Sequence, residues 1–172
     1  GGDSWDLLRS LAVSPSDGAM YGIGYTASLS FSLLPTRPTQ EAPPDAFVIK
    51  ADAAKNVIWA TRIGSGNQDY GMNLEVGNDG FIYVTGFSGD SNATSPARGF
   101  LRKLKASDGT VVYTRIIGDT IDGNSYGEDL SIGKDGSVYV AISTDGNLGG
   151  NINQGNRDVA VQKYDRNGTL IW

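Results

Sequence analysis

Apolar residues in this chain fall in short dense runs separated by Gly, Asp and Asn, and no window keeps up a helical period. The clearest run, Phe81–Phe87 (FIYVTGF), is rich in β-branched and aromatic residues and reads as a strand. Before it come a short apolar segment, Leu74–Val76, and the stretch Gly77-Asn78-Asp79-Gly80, whose residues suit a tight turn with positive φ. After a polar stretch from Ser88 to Arg98, the pattern predicts a third strand at Phe100–Leu104, a turn at Ser107-Asp108-Gly109 and a fourth strand at Val111–Ile117.

The same order recurs on either side. The clause Leu-x-Val/Ile, Asp-Gly, apolar residue, Tyr appears at Leu11–Val13/Asp17–Gly18/Met20–Tyr21, at Leu74–Val76/Asp79–Gly80/Ile82–Tyr83 and at Leu130–Ile132/Asp135–Gly136/Val138–Tyr139. Each copy continues with a lysine closing an apolar run (Lys50, Lys103, Lys163), a turn and a large aromatic (Trp59, Tyr113, Trp172). Further strands are predicted at Ala19–Tyr25, Phe47–Ala51 and Val57–Ile63, and at Ser137–Ser143, Val159–Tyr164 and Thr169–Trp172. A period of 53–63 residues marks a repeat architecture, and four short antiparallel strands are the unit of a β-propeller blade. The expected fold is all-β: three antiparallel four-stranded blade-like repeats at 1–64, 65–118 and 119–172, one continuous segment of a larger propeller or repeat array.

The repeat frame also locates the ends. Gly1-Gly2-Asp3 aligns with the residues after a fourth strand (Gly64, Gly118), and Trp172 aligns with Trp59 and Tyr113 inside one. Three blades are too few for a closed propeller, so the expectation is either a window onto a longer array or three-blade chains that pair into a ring.

Composition narrows the chemistry. The chain has no cysteine and no histidine, which removes disulfides, thiol catalysis, histidine acid–base chemistry and the common zinc and haem ligand sets. Net charge is −5 with no basic cluster, so nucleic acid and anionic membrane surfaces are poor partners. No apolar stretch approaches the length of a membrane-inserted helix. Glu128 and Asp129 are neighbours, which on a regular strand places them on opposite faces and argues against a carboxylate pair. No nucleophile elbow, phosphate loop or dinucleotide fingerprint is present, and no catalytic residue is assigned.

Calcium is the one cofactor candidate. Asp119 and Asp122, with Asn124, superficially suggest a calcium loop but lack the spacing and closing glutamate of an EF-hand, and an ordinary exposed turn has the same residues. The loop from Asp145-Gly146-Asn147 to Asp158 is no stronger. Glycosylation acceptors occur at Asn92-Ala93-Thr94 and Asn167-Gly168-Thr169. The recurrent lysines read as end-of-strand solubility devices, and the recurrent aromatics as packing between units. The loops after the second strands, Ala27–Pro44 (with four of the six prolines), Ser88–Arg98 and Thr144–Arg157, vary in length and all lie at one end of the sheets, where binding is expected.

Asp69-Tyr70…Val76…Asp79-Gly80-x-Ile82-Tyr83-Val84-Thr85-Gly86, the run Asp45-Ala46-Phe47-Val48-x-Lys50, and Asp158–Lys163 with Tyr164-Asp165-x-Asn167-Gly168-x-Leu170-x-Trp172 together resemble the SBBP-type bacterial β-propeller repeat. The resemblance covers nearly the whole chain in three copies; Ile142, in place of Gly24 and Gly86, and the Pro-rich insertion are its departures. It implies propeller blades in large secreted or cell-surface proteins and no catalytic residues. The expected function is that of a non-enzymatic structural or adhesive module of a secreted surface protein or extracellular filament, binding through its variable loops. Its partners would be further repeats of the same or identical chains, and glycans or surface proteins. The alternative is a ligand- or polysaccharide-binding propeller, hydrolytic in one version, with a site between blades.

Overall fold

A computed structural model describes residues 2–30, 34, 44–64, 67–89, 95–118 and 123–172. These form eleven antiparallel strands in three sheets that follow one another in sequence, with no helix among the described residues. The first sheet contains β1 (Asp6–Val13), β2 (Met20–Thr26), β3 (Asp45–Ala51) and β4 (Val57–Arg62), hydrogen-bonded in that order. The second contains β5 (Gln68–Val76), β6 (Phe81–Gly89), β7 (Arg98–Lys105) and β8 (Val111–Ile117). The third has β9 (Ser125–Ile132), β10 (Val138–Thr144) and β11 (Asp158–Tyr164). It departs from the four strands expected of it. Thr169–Trp172 makes a single bridge, Leu170 to Tyr164, plus hydrogen bonds between Lys163 and residues 171 and 172. Only the last two residues of β11 face it, too few to build a ladder.

Two irregularities repeat with the units. A bulge in the first strand of each sheet leaves Arg9, Met72 or Glu128 without a direct partner. A second one in the fourth strands leaves Ile58 or Val112 unpaired beside Trp59 or Tyr113. The first bulge corrects the expectation for Glu128 and Asp129. Alternation is interrupted between them, and both are exposed on the same stretch of β9.

The sheets stack face to face. Tyr21, Ile23, Ala46 and Val48 of the first meet Leu74, Ile82, Val84, Phe100 and Leu104 of the second. On the opposite face of the second sheet, Tyr83, Leu101 and Ile117 meet Leu130, Val138, Val140 and Ile142 of the third. The middle sheet is therefore covered on both sides, which is why β6 reads as a near-continuous apolar run and why β7 is buried from Gly99 to Leu104, Arg102 and Lys103 included. In each stack the first strand of the later sheet does most of the covering: β5 lies across β1, β2 and β3, and β9 across β5, β6 and β7.

Such close approach depends on glycine. A Cβ at Gly71 would overlap the Ile23 side chain, and one at Gly127 would overlap Thr85. The outer face of the first sheet is different. Leu34 covers Phe47 there, while Leu8, Leu11 and Val13 of β1 stay exposed.

Candidate functional site

The strand 1–2 turns, formed around Asp17-Gly18, Asp79-Gly80 and Asp135-Gly136, carry their glycines at positive φ. Four residues past each Asp stands the recurrent Tyr, and across the second and third strands stands the recurrent Lys (Tyr21↔Lys50, Tyr83↔Lys103, Tyr139↔Lys163). Turn and strand register thus bring an Asp–Tyr–Lys cluster to the same end of every sheet.

In the middle unit Tyr83 Oη–H donates to Asp79 Oδ2 at 2.8 Å, and Lys103 Nζ donates to the same oxygen at 2.8 Å and to the Arg166 carbonyl of the third unit at 3.1 Å. Burial alone would push the Asp79 carboxyl up, but the hydrogen bonds from Lys103 and Tyr83 outweigh it and hold the carboxyl below its ordinary value. Burial and the neighbouring carboxylate push the Tyr83 hydroxyl far up. In the first unit Lys50 Nζ and Tyr21 Oη–H reach the Ala106 carbonyl at 3.0 and 3.4 Å, with Trp59 Nε1–H at 3.3 Å. In the third unit Lys163 Nζ lies 3.7 Å from Asp135 Oδ2 and over the Tyr139 ring.

Lys50 and Lys103 are therefore not solubility devices. Lys50 and Lys103 tie each sheet to the turn of the next, and Lys103 is buried. Trp59 and Tyr113 do pack between units, whereas Trp172 is exposed and sits against Tyr139 of its own unit. A Cβ on Gly109 would lie 2.8 Å from the Trp59 ring, and one on Gly168 would lie 2.8 Å from the Tyr113 ring. Arg115 adds hydrogen bonds to the Gly168 and Asn167 carbonyls at 2.6 and 3.1 Å. Burial pushes the Tyr113 hydroxyl up to about 12.

Lys103→Met keeps the stem of the side chain and removes the ammonium. It should cost about 1–3 kcal/mol, because Asp79 and the Arg166 carbonyl lose their donor in a half-buried position. The wild type should also lose stability in acid. A carboxyl with a depressed folded pKa contributes its full share above about pH 4 and loses it as pH falls through the lower folded value. Urea midpoints from neutral pH down to strong acid should show a shallower acid limb in the variant. An unchanged limb counts against the ion pair.

The opposite end of the stack carries the variable loops. Four half-buried rings run across all three sheets there: Tyr25 against Tyr70, Tyr70 against Phe87 and Phe87 against Tyr126, with centroids 4.8, 4.8 and 4.9 Å apart. The Arg157 guanidinium lies 4.8 Å from the Tyr126 ring. This row was missed in sequence because its members come from first and second strands at positions that are not all aromatic: Leu7 and Ser143 occupy two of them. Nearby, Asn124 donates to Asp145 through its backbone and side-chain nitrogens and accepts from the Ala97 N–H. Those hydrogen bonds hold the Asp145 carboxyl below its ordinary value.

Asp119, Asp122 and Asn92 lie outside the described residues. Among the described residues no three acidic side chains are placed to hold a metal ion. Asn167 is exposed, in a turn closed by hydrogen bonds from the N–H groups of Asn167 and Thr169 to Asp165. A groove of about 860 Å³ opens beside β11 between Arg115–Gly118 and the 147–150 loop, and no carboxylate lines it. No family model matches the chain, and no curated protein matches it in sequence.

Proposed function

We propose that the chain is a run of three propeller blades of the SBBP-type repeat, and that it serves as a non-enzymatic structural or adhesive module of a secreted surface protein or extracellular filament. The observation that carries this reading is the fate of the recurrent polar residues. Asp79, Tyr83, Lys50 and Lys103 hydrogen-bond within a unit or to the turn of the next, so the side chains that repeat serve the stacking of sheets. The loops that differ most in sequence between units follow the second strands, at the end of the sheets where the aromatic row lies, and that end is the proposed adhesive face.

The test pairs two assays. Chromogenic glycosides, esters and peptides should not be turned over. Retention on neutral polysaccharide beads should fall when residues 147–154 are replaced by a Gly-Ser linker, and should survive Lys103→Met. Turnover that disappears with one loop substitution overturns the non-enzymatic reading, and retention indifferent to the loop overturns the adhesive face.

A further inference from the structure

We propose that the middle unit carries a binding site for a small oxyanion, a carboxylate, sulfate or phosphate group, held between Arg98 and Arg102 at the loop end of the second sheet. The two arginines stand at alternate positions of β7, one on each side of Phe100, on the face turned toward the first sheet. With Asn67, Ser88 and Ser95 they line a cavity of about 140 Å³. That is room for one such group and its water, and not for a polymer. Among the described residues no carboxylate lines it.

The repeat does not require these charges. By strand register, the positions of Arg98, Phe100 and Arg102 are taken by Asp45, Phe47 and Ile49 in the first sheet, and by Asp158, Ala160 and Gln162 in the third. Neither of those stripes carries a cation. An isoleucine serves at the place of Arg102 in β3, so packing alone gives no reason to bury a guanidinium there.

The guanidinium is nevertheless buried and incompletely partnered. Arg102 is 8% exposed, and its Nε–H is covered without meeting an acceptor. The Phe100 ring, 4.5 Å from the guanidinium, holds the plane of the fork. Burial pulls the Arg102 pKa down, and the buried Asp69 offsets part of that. A buried donor with no acceptor is costly, and an oxyanion in the cavity would supply one.

The local charges also leave a surplus. Asp45 pairs with Arg62 at 3.5 Å, and Asp69 acts on Arg102. No carboxylate among the described residues pairs with Arg98, so the cavity keeps a positive charge that a bound anion neutralises. Two guanidinium groups offer the paired N–H donors that carboxylate, sulfate and phosphate accept most strongly.

Isothermal titration of the chain at constant ionic strength with sodium acetate, glucuronate, sulfate and phosphate should find one site, with a Kd on the order of 1 mM for the anion that fits best, and none for glucose. A preference for acetate and glucuronate upholds the site as one for a planar carboxylate, and a preference for sulfate and phosphate upholds it as one for a tetrahedral anion. Arg102→Ile, which places the β3 residue in β7, should weaken binding at least about tenfold. Arg98→Ala, at a half-buried strand start, should do the same, and Arg9→Ala, on exposed β1, should leave binding unchanged. The Arg102 Nε–H proton resonance should move downfield on saturation. An arginine that serves only to balance Asp69 would give no saturable anion site and no movement of that resonance, which overturns the proposal. Binding that Arg9→Ala weakens as much as Arg98→Ala also overturns it, since that marks diffuse attraction. The site shares no residue with the 147–154 loop, so its failure leaves the adhesive reading standing, and loop-independent retention on neutral beads leaves this site standing.

Discussion

Phe100→Ala should be among the most damaging single changes, lowering the unfolding free energy by about 3–5 kcal/mol. The ring is fully buried in the core between the first two sheets, with the Arg102 guanidinium 4.5 Å from its centroid and room made for it by Gly86. Truncation leaves a cavity that two packed sheets cannot collapse to fill. For a domain of this size the melting temperature should fall by about 6–20 °C. Phe47 occupies the same position in the first sheet, where Leu34 and not a whole sheet lies over it. Phe47→Ala should therefore cost clearly less. Urea unfolding of both variants checks the pair, and an equal or larger loss for Phe47 would mean that sheet stacking is not what secures these rings.

That contrast shows where the sequence was readable. The Asp-Gly turns, the second and third strands and the fourth strands of the first two units are legible because apolar density and turn chemistry agree locally; Val111–Ile117 forms with the expected bounds, whereas Thr169–Trp172 makes only a bridge. The apolar pattern cuts first strands short: it predicts Leu74–Val76, and Gln68–Val76 forms. The missing half contains the bulge and Gly71, which pattern reading takes as loop because alternation fails there. Yet that half lies closest to the preceding sheet.

The roles of Lys50 and Lys103 were hidden for a related reason. Their partners, the Ala106 and Arg166 carbonyls, are backbone atoms of the next unit, and a carbonyl leaves no residue-type signal. The aromatic row could have been suspected from Tyr70, Phe87 and Tyr126, all close to the link ends of their strands. Its continuity across sheets depends on the stacking itself.

Gly127→Leu should cost about 3 kcal/mol, the upper end for an overpacked core, although leucine itself sits at the equivalent position in β1. Leu8 is tolerated because the outer side of β1 is bare. At Gly127 a Cβ would overlap Thr85 and lie 2.8 Å from the Gly86 carbonyl oxygen, so the obstacle includes backbone that no rotamer change can clear. The third sheet would have to move away from the second, uncovering Leu130, Val140 and Leu101. Hydrogen exchange should then show β9, β10 and β11 opening together while β1–β4 keep their protection. Uniform loss of protection across all three sheets would mean that the molecule unfolds as one unit and that the contact at Gly127 is no local hinge of stability.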